Sequence, residues 1–447
     1  MKCVIGLLTL IVCIASPFGF AQQPKLTREL KSETIEALAD LVRERYAHKD
    51  VGEKLHALLK NNLTRGKYDS ILVPDEFSNA VTDDLRSLNS DKHLALNYSP
   101  RPAATQAGTN TAASTAPQIT PEEQARRASE FNRLMNFGFK NVRFLNGNVG
   151  YLRFDYFDAF LDYSAPVVDA SMGFLKNADA IIIDLRYNGG GSPQMVNYIA
   201  GFFFEERTLS GTSYDRLTDT TSKNFIEPQP SQKRISNVDL FILTSPATVS
   251  AAEGLAYDLK YLKKAMVIGE TSAGAANPGR TTRVNDLFVA FIPNRHGMNV
   301  VTGTNWEGTG VPVDLVVPAQ DALRKANIEA LRRLQQNTTS SFKKQRLGKY
   351  ITFLEKTYPE NVLPRRVLLQ YVGNYQGGRT VTLINGELHY TRAGEAGGKM
   401  YSISPDTFML AEGDVTISFK RDGKDKVSSI ESQWSLSDTP ATAQRLN

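Results

Sequence analysis

Three features of the sequence predict an α/β protein with a helical domain before its core and a small antiparallel β domain after it. From Asn148 onward, continuous apolar runs of strand length alternate with amphipathic helical stretches, the pattern of a largely parallel sheet covered on both faces. Residues 26–98 instead carry helical periodicity almost throughout. Residues 364–447 return to short alternating strands punctuated by tight-turn dipeptides.

The elements follow in order. The opening MKCVIGLLTLIVCIASPFGFAQQ has an early lysine, an apolar run from Cys3 to Ala15, and Gly19-Phe20-Ala21, with small residues placed for cleavage after Ala21. It reads as a signal peptide over residues 1–21, so the chain is expected to be exported to the periplasm or beyond, with no integral membrane span after cleavage. Both cysteines, Cys3 and Cys13, fall inside it, which leaves the mature chain neither a disulfide framework nor a cysteine nucleophile. Ile35, Leu38, Val42 and Tyr46 share one helical face, as do Val51, Leu55, Leu58 and Leu59, and then Phe77, Val81, Leu85 and Leu88. These predict a bundle of roughly three helices. The Pro/Ala/Thr-rich residues 99–118 read as a flexible linker.

The α/β domain is expected over residues 119–335. Pro121–Phe137 predicts a short helix, and Val149–Phe154 and Ala180–Leu185 predict buried strands. Ser192-Pro193 offers an N-cap and a first-turn proline to a helix continued by Met195, Ile199 and Phe202. Leu240–Leu243, a helix near Ala251–Leu262, Met266–Gly269 and a closing helix at Asp321–Leu334 complete the alternation. In the tail, Asn385-Gly386 within Val381–Tyr390 and Asp422-Gly423 are hairpin signals, and no chemistry is visible there.

Composition narrows the function. A net charge of +5 spread over 447 residues, with no basic run beyond pairs such as Lys263-Lys264 and Lys343-Lys344, excludes nucleic acid as an expected partner. No HExxH or paired His/Cys spacing occurs, so neither a metal nor a cofactor is expected. Of the five histidines, His48 and His56 lie in helical patterns, His389 lies in a hairpin strand, and His296 has no evident role. His93 follows small polar residues at the end of the helical domain, where a base on a loop would sit. Asp184-Leu-Arg-Tyr-Asn-Gly-Gly-Gly-Ser192 puts three glycines between a strand and a helix. That is a tight turn, a phosphate loop or an oxyanion donor, although the nucleotide-loop patterns are absent. Ser250 stands at a strand-to-helix turn, the place of an exposed nucleophile. Ser250-Ala-Ala-Glu253 equally satisfies the capping-box pattern.

These pieces together resemble a known family. Asp91-Lys-His-Leu94, Gly147-Asn-Val-Gly-Tyr-Leu152, Asp184-Leu-Arg-Tyr-Asn-Gly-Gly190, Thr244-Ser-Pro, Ser250-Ala-Ala-Glu253, Gly269-Glu-Thr-Ser-Ala-Gly274 and Asn305-Trp-Glu-Gly-Thr-Gly-Val311 with Asp314 occur in order. They are similar to the tail-specific (C-terminal processing) serine peptidases, especially the branch resembling interphotoreceptor retinoid-binding protein. The resemblance implies a crotonase/ClpP-like core behind a helical domain, with Ser250 as nucleophile. The lysine-dependent branch has its base at the position of Ala275, so that base is missing here. The stretch between His93 and Asn148 is also too short for that branch's PDZ domain. The tricorn-type branch implies His93 as base and Glu307 as its orienting acid, with Lys92 standing where those enzymes carry a serine. Under this mapping the oxyanion is held by the Ala251 N–H and an N–H of Gly189 or Gly190, and Glu253 carries more of the capping because the Ser250 side chain must point at His93. The implied function is an exported peptidase acting on peptides or unfolded protein C-terminal regions. A non-catalytic binder of apolar ligands on the same fold is the alternative, and an esterase a third.

Overall fold

Thr27 starts the first helix by accepting the Leu30 N–H on its hydroxyl. Helices α1 (Arg28–Arg45), α2 (Lys49–Thr64) and α3 (Pro74–Arg86) then bury the apolar faces that the periodicity marks, among them Ile35, Leu38, Val42, Leu55, Leu59, Phe77, Val81 and Leu85. A short strand, β1 (Ala95–Tyr98), follows. The computed structural model describes residues 25–101, 120–235, 237–357, 363–410, 415–434 and 439–446. The expected signal peptide and most of the expected linker lie outside them.

Helix α4 (Pro121–Leu134) leads into β2 (Phe139–Leu145), β3 (Val149–Phe154), α5 (Leu161–Phe174), β4 (Ala180–Asp184) and α6 (Pro193–Ala200). A hairpin, β5 (Thr208–Asp215) and β6 (Thr220–Ile226), intervenes before β7 (Asp239–Thr244), α7 (Ala251–Tyr261) and β8 (Ala265–Gly269). Next come β9 (Gly279–Arg283), β10 (Phe288–Pro293), β11 (Arg295–Asn299), β12 (Leu315–Val316), α8 (Ala319–Asn337) and α9 (Ser341–Lys356). The central sheet has the order β12-β8-β7-β4-β3-β2. Its strands are parallel except for β2, which pairs antiparallel at one edge.

Strict alternation divides each central strand between two cores. Ile181, Ile183, Leu240 and Ile242 face one core with α6 and α7, while Ala180, Ile182, Phe241 and Leu243 face the other with α8 and α9. Burial on both faces is why these strands read as unbroken apolar runs. Each fully buried isoleucine contributes about 1.5–3 kcal/mol. The β5–β6 hairpin pairs with β11 in a separate three-stranded sheet. That sheet and helices α5 and α9 are additions to the elements read from sequence.

The described chain falls into two compact units. One holds residues 25–89, 94–101 and 280–292, so α1–α3 share a core with the sheet β1-β10-β9 through Leu96, Phe288, Ala290 and Ile292. The other holds residues 90–93 together with 120–279 and 293–446. The segment carrying His93 thus belongs to the same unit as Ser250, although the sequence assigns it to the helical domain.

At the C-terminus, α10 (Arg365–Tyr371) precedes β13 (Gly373–Tyr375), β14 (Arg379–Ile384), β15 (Glu387–Arg392), β16 (Glu395–Ser404), β17 (Thr407–Leu410), β18 (Val415–Arg421), β19 (Val427–Trp434) and β20 (Ala441–Gln444). Neighbours in sequence are neighbours in the sheet. The last strand also returns to the first, with Gln376 N–H donating to Gln444 O at 2.9 Å and Leu446 N–H to Asn374 O at 2.8 Å. The antiparallel domain is therefore a closed up-and-down barrel, filled by Tyr375, Val381, Tyr390, Phe408, Ile417, Phe419 and Ile430 and by Leu368 and Tyr371 of α10. Asn385 and Gly386 turn its second hairpin with φ of 50° and 85°, as the dipeptide predicts.

Candidate active site

The C-terminal ends of β4 and β7 are stitched together by small polar residues. Thr248 Oγ1 donates to Leu185 O at 2.8 Å and accepts from Ser245 N–H at 2.9 Å. Val249 N–H donates to Asn188 O at 3.0 Å. Asn188, fully buried, also donates to Phe154 O at 2.9 Å and accepts the Gly190 N–H on Oδ1 at 2.9 Å. The glycine segment after β4 is thereby laid against the turn after β7. A Cβ placed on Gly190, whose φ is +93°, would come 2.7 Å from Val249 O, 2.8 Å from Ser250 Cβ and 3.1 Å from Ala251 N.

Ser250 occupies the N-cap of α7 with φ 57° and ψ −117°, a region that costs a non-glycine residue on the order of 1–3 kcal/mol. Its N–H donates to Glu253 Oε2 at 2.7 Å, and the Ser250 side chain makes no cap hydrogen bond. Ser250 and Glu253 form a capping box, in which the hydrogen bond to the Glu253 carboxylate is the firm half. Glu253 is fully buried and accepts three more hydrogen bonds: from Ser272 Oγ at 2.6 Å, Gly274 N–H at 2.5 Å and Ala275 N–H at 2.9 Å. The Ser250 hydroxyl donates no hydrogen bond among the described residues. The Ala251 N–H opens the helix, among the orphan donors of a helix N-terminus.

Segment 274–277 is the other wall. Ala275, 1 % exposed, is pinned by Glu253 and by the Trp306 indole, which donates to Ala275 O at 3.2 Å. The position where a lysine base is missing is therefore closed by packing. Trp306 itself lies over Gly254 and Tyr257 of α7. Glu307 Oε2 accepts from Ala276 N–H at 2.6 Å and Asn277 N–H at 2.9 Å, while its buried Oε1 has no hydrogen-bond partner among the described residues. Burial pushes the Glu307 carboxyl up to about 7, helped by the charges of Asp91 and Glu253 and opposed by the two backbone N–H groups.

His93 and Glu307 are brought together. Donor atoms of Asp91, His93 and Glu307 all lie within 4.8 Å of one another. Asp91 Oδ1 accepts the His93 backbone N–H at 3.0 Å, and its Oδ2 accepts from Asn277 Nδ2 at 3.1 Å. Both Asp91 oxygens and one Glu307 oxygen thus accept N–H hydrogen bonds. Lys92 is exposed, and its ammonium donates to Ala273 O.

The expected second oxyanion donor is in use elsewhere. Gly189 N–H donates to Asp155 O at 3.0 Å and Gly190 N–H to Asn188 Oδ1 at 2.9 Å. Of the three expected donors, Ala251 is the one placed at a helix end. Asp184 and Arg186 form a buried two-pronged pair at 2.8 and 2.6 Å, reinforced by Tyr151, a structural role. His296 stands in a different cleft, with its ring 5.2 Å from that of Tyr214. Asp91, Asn188 and Asn277 are the polar residues to which sequence reasoning assigned no role. Their only prior signal was membership in the segments around His93, Gly189 and Ala275.

Comparison with known proteins gives two family matches. Residues 148–317 match peptidase family S41, and residues 24–142 match the N-terminal domain of peptidase S41 in eukaryotic IRBP. Among solved structures, a lipoprotein from Streptococcus agalactiae is 18% identical, with 68% of this chain and 96% of that chain covered at a TM-score of 0.43. The photosystem II D1 C-terminal processing protease is 17% identical over 66% of this chain and 94% of its own, with a TM-score of 0.40. The tricorn protease is 14% identical over 69% of this chain and 37% of its own, with a TM-score of 0.43.

Proposed function

Because the chain belongs to peptidase family S41 and is a serine peptidase, we propose that Ser250 is its nucleophile, His93 its general base and Glu307 the acid that orients the base. The observation that carries this reading is the strained Ser250 backbone at the head of α7, in the same compact unit as the neighbouring His93 and Glu307. Glu253 supports it by taking the capping duty, which leaves the Ser250 hydroxyl for chemistry.

Ser250 Oγ attacks the scissile carbonyl as the His93 ring takes its proton. The imidazolium so formed is stabilised by the neighbouring Asp91 carboxylate, and by Glu307 where it is ionised, and returns the proton to the leaving amine. The developing oxyanion meets the Ala251 N–H at the positive end of α7. The second donor is the Gly190 N–H, released when the oxyanion displaces Asn188 Oδ1, since a charged acceptor outcompetes an amide carbonyl. Water later repeats the attack on the acyl-enzyme. The substrates are peptides or unfolded protein C-terminal regions, and the enzyme acts outside the cytoplasm. Export rests on the leader-like residues 1–21. No described helix is long and apolar enough to cross a membrane.

The test is labelling of purified protein by a fluorophosphonate probe, paired with cleavage of an unfolded protein. Wild type is expected to label and cleave, with Ser250→Ala silent and His93→Ala slower by about 10³-fold or more. Labelling of Ser250→Ala would overturn the nucleophile assignment. A wild type that neither labels nor cleaves would favour the apolar-ligand binder.

A further inference from the structure

We propose that Asp91 is a positioning residue for the His93 base, fixing the backbone that carries the imidazole and supplying a standing negative charge beside the ring. This rests on the assignment of His93 as base. The Asp91 carboxylate is fully buried, and burying a carboxylate is costly unless it is hydrogen-bonded and paired. Its two oxygens take the backbone N–H of His93 and the amide of Asn277, and the Asn277 backbone N–H in turn holds Glu307. One carboxylate thus ties the base to the segment that holds its orienting acid, and its oxygens lie within 4.8 Å of donor atoms on both.

The electrostatics distinguish the two acids. The charged and titratable groups around the cluster are His93, Glu307, Glu253 and the Lys92 ammonium over Ala273. Burial and the Asp91 charge push Glu307 up to about 7. Below neutrality Glu307 therefore holds a proton, and the negative charge beside the imidazole belongs to Asp91. An anion at this distance favours the imidazolium that forms as Ser250 attacks.

Asp91→Asn removes the charge while keeping an acceptor for the His93 N–H. The Asn277 amide, whose buried Oδ1 has no hydrogen-bond partner among the described residues, can turn over to accept from the new Asn side chain. The pH dependence of the labelling rate is then compared among wild type, Asp91→Asn, Asn277→Ala, His93→Ala and Ser250→Ala, with thermal melts as a check on folding. Asp91→Asn is expected to label about tenfold more slowly at its plateau. Its acid limb should move about one unit toward lower pH, because loss of a nearby anion lowers the proton affinity of imidazole and of Glu307 alike. Asn277→Ala, which loosens the anchor and keeps the charge, is expected to slow labelling without moving the limb. An Asp91→Asn limb that coincides with wild type would overturn the proposal while leaving the His93 assignment standing. His93→Ala labelling at the wild-type rate would overturn both. If Asp91→Asn does not fold, Asp91→Ala in formate is measured instead, where return of the wild-type limb supports the proposal and no return overturns it.

Discussion

At the scale of single residues, Ser250 and Glu253 turn an apparent choice into a division of labour. Capping box and nucleophile compete only if one hydroxyl must serve both, and the Glu253 carboxylate removes that conflict by taking the Ser250 N–H. It also holds Gly274, Ala275 and Ser272, so a single buried side chain fixes the Ser250 turn to the segment that hydrogen-bonds Glu307. Glu253→Ala strands three backbone N–H groups and a hydroxyl. At roughly 1–3 kcal/mol for each orphaned group, offset where water enters the space, a loss of about 3–5 kcal/mol is expected. A fall in the urea midpoint with an unchanged slope would show it, together with loss of fluorophosphonate labelling. A loss below about 1 kcal/mol would mean that Glu253 is an ordinary cap. Ser250 and Glu253 stand out through the capping-box pattern and His93 through its place after small polar residues, whereas Glu307 is reached only through the family resemblance. Asp91 and Asn277 were not legible, because no spacing rule joins residues so far apart in the chain; only folding makes them partners.

At the scale of elements, legibility followed burial. β3, β4, β7 and β8 are covered on both faces and announce themselves as apolar runs, and α6 and α7 begin at Ser192 and Ser250 with recognisable starts. β5 and β6 escape a sequence reading because Thr208–Asp215 and Thr220–Ile226 are polar, the first half-buried and the second largely solvent-facing. β10 was missed because its buried residues are completed by α1–α3, far away in the chain. The glycine segment after β4 was ambiguous for a different reason: glycines allow close approach without stating to what. The structure answers for Gly190, where a Cβ would press on Val249 O and Ser250 Cβ at a φ of +93°. Gly190→Ala is therefore expected to cost about 1–3 kcal/mol in strain and to slow labelling by at least about 10²-fold as the turn is pushed away from its donor. Gly189→Ala is the contrast in stability, since its Cβ would meet nothing within 4 Å. Calorimetry on the two variants checks the pair, and equal melting temperatures would show that the segment yields.

At the scale of the whole molecule, two half-buried acids give stability a pH dependence opposite to that of ordinary ion-paired carboxylates. Burial pushes Glu307 up to about 7 from 4.5, and Asp258, on α7 beneath the segment that begins at Asn299, up to about 6 from 3.8 despite its hydrogen bond from Asn299. Between each pair of values the folded chain keeps a proton that the unfolded chain has released. Folded protein then binds more protons than unfolded, and stability falls as pH rises. The Asp258 contribution is lost from about pH 4 to 6 and that of Glu307 from about pH 4.5 to 7, with no further change above. Glu307→Gln cannot titrate and should accept the same two N–H groups through its amide oxygen. The melting temperature of Glu307→Gln minus that of wild type is therefore expected to rise from pH 4.5 to 7 and then level off. Asp258→Asn should show the same rise, ending near pH 6. Subtracting wild type removes the contribution of titrating groups remote from the substituted acid. A difference that stays flat would mean that Glu307 is ionised throughout this range, and one that falls would mean that a cation holds its charge in the folded chain.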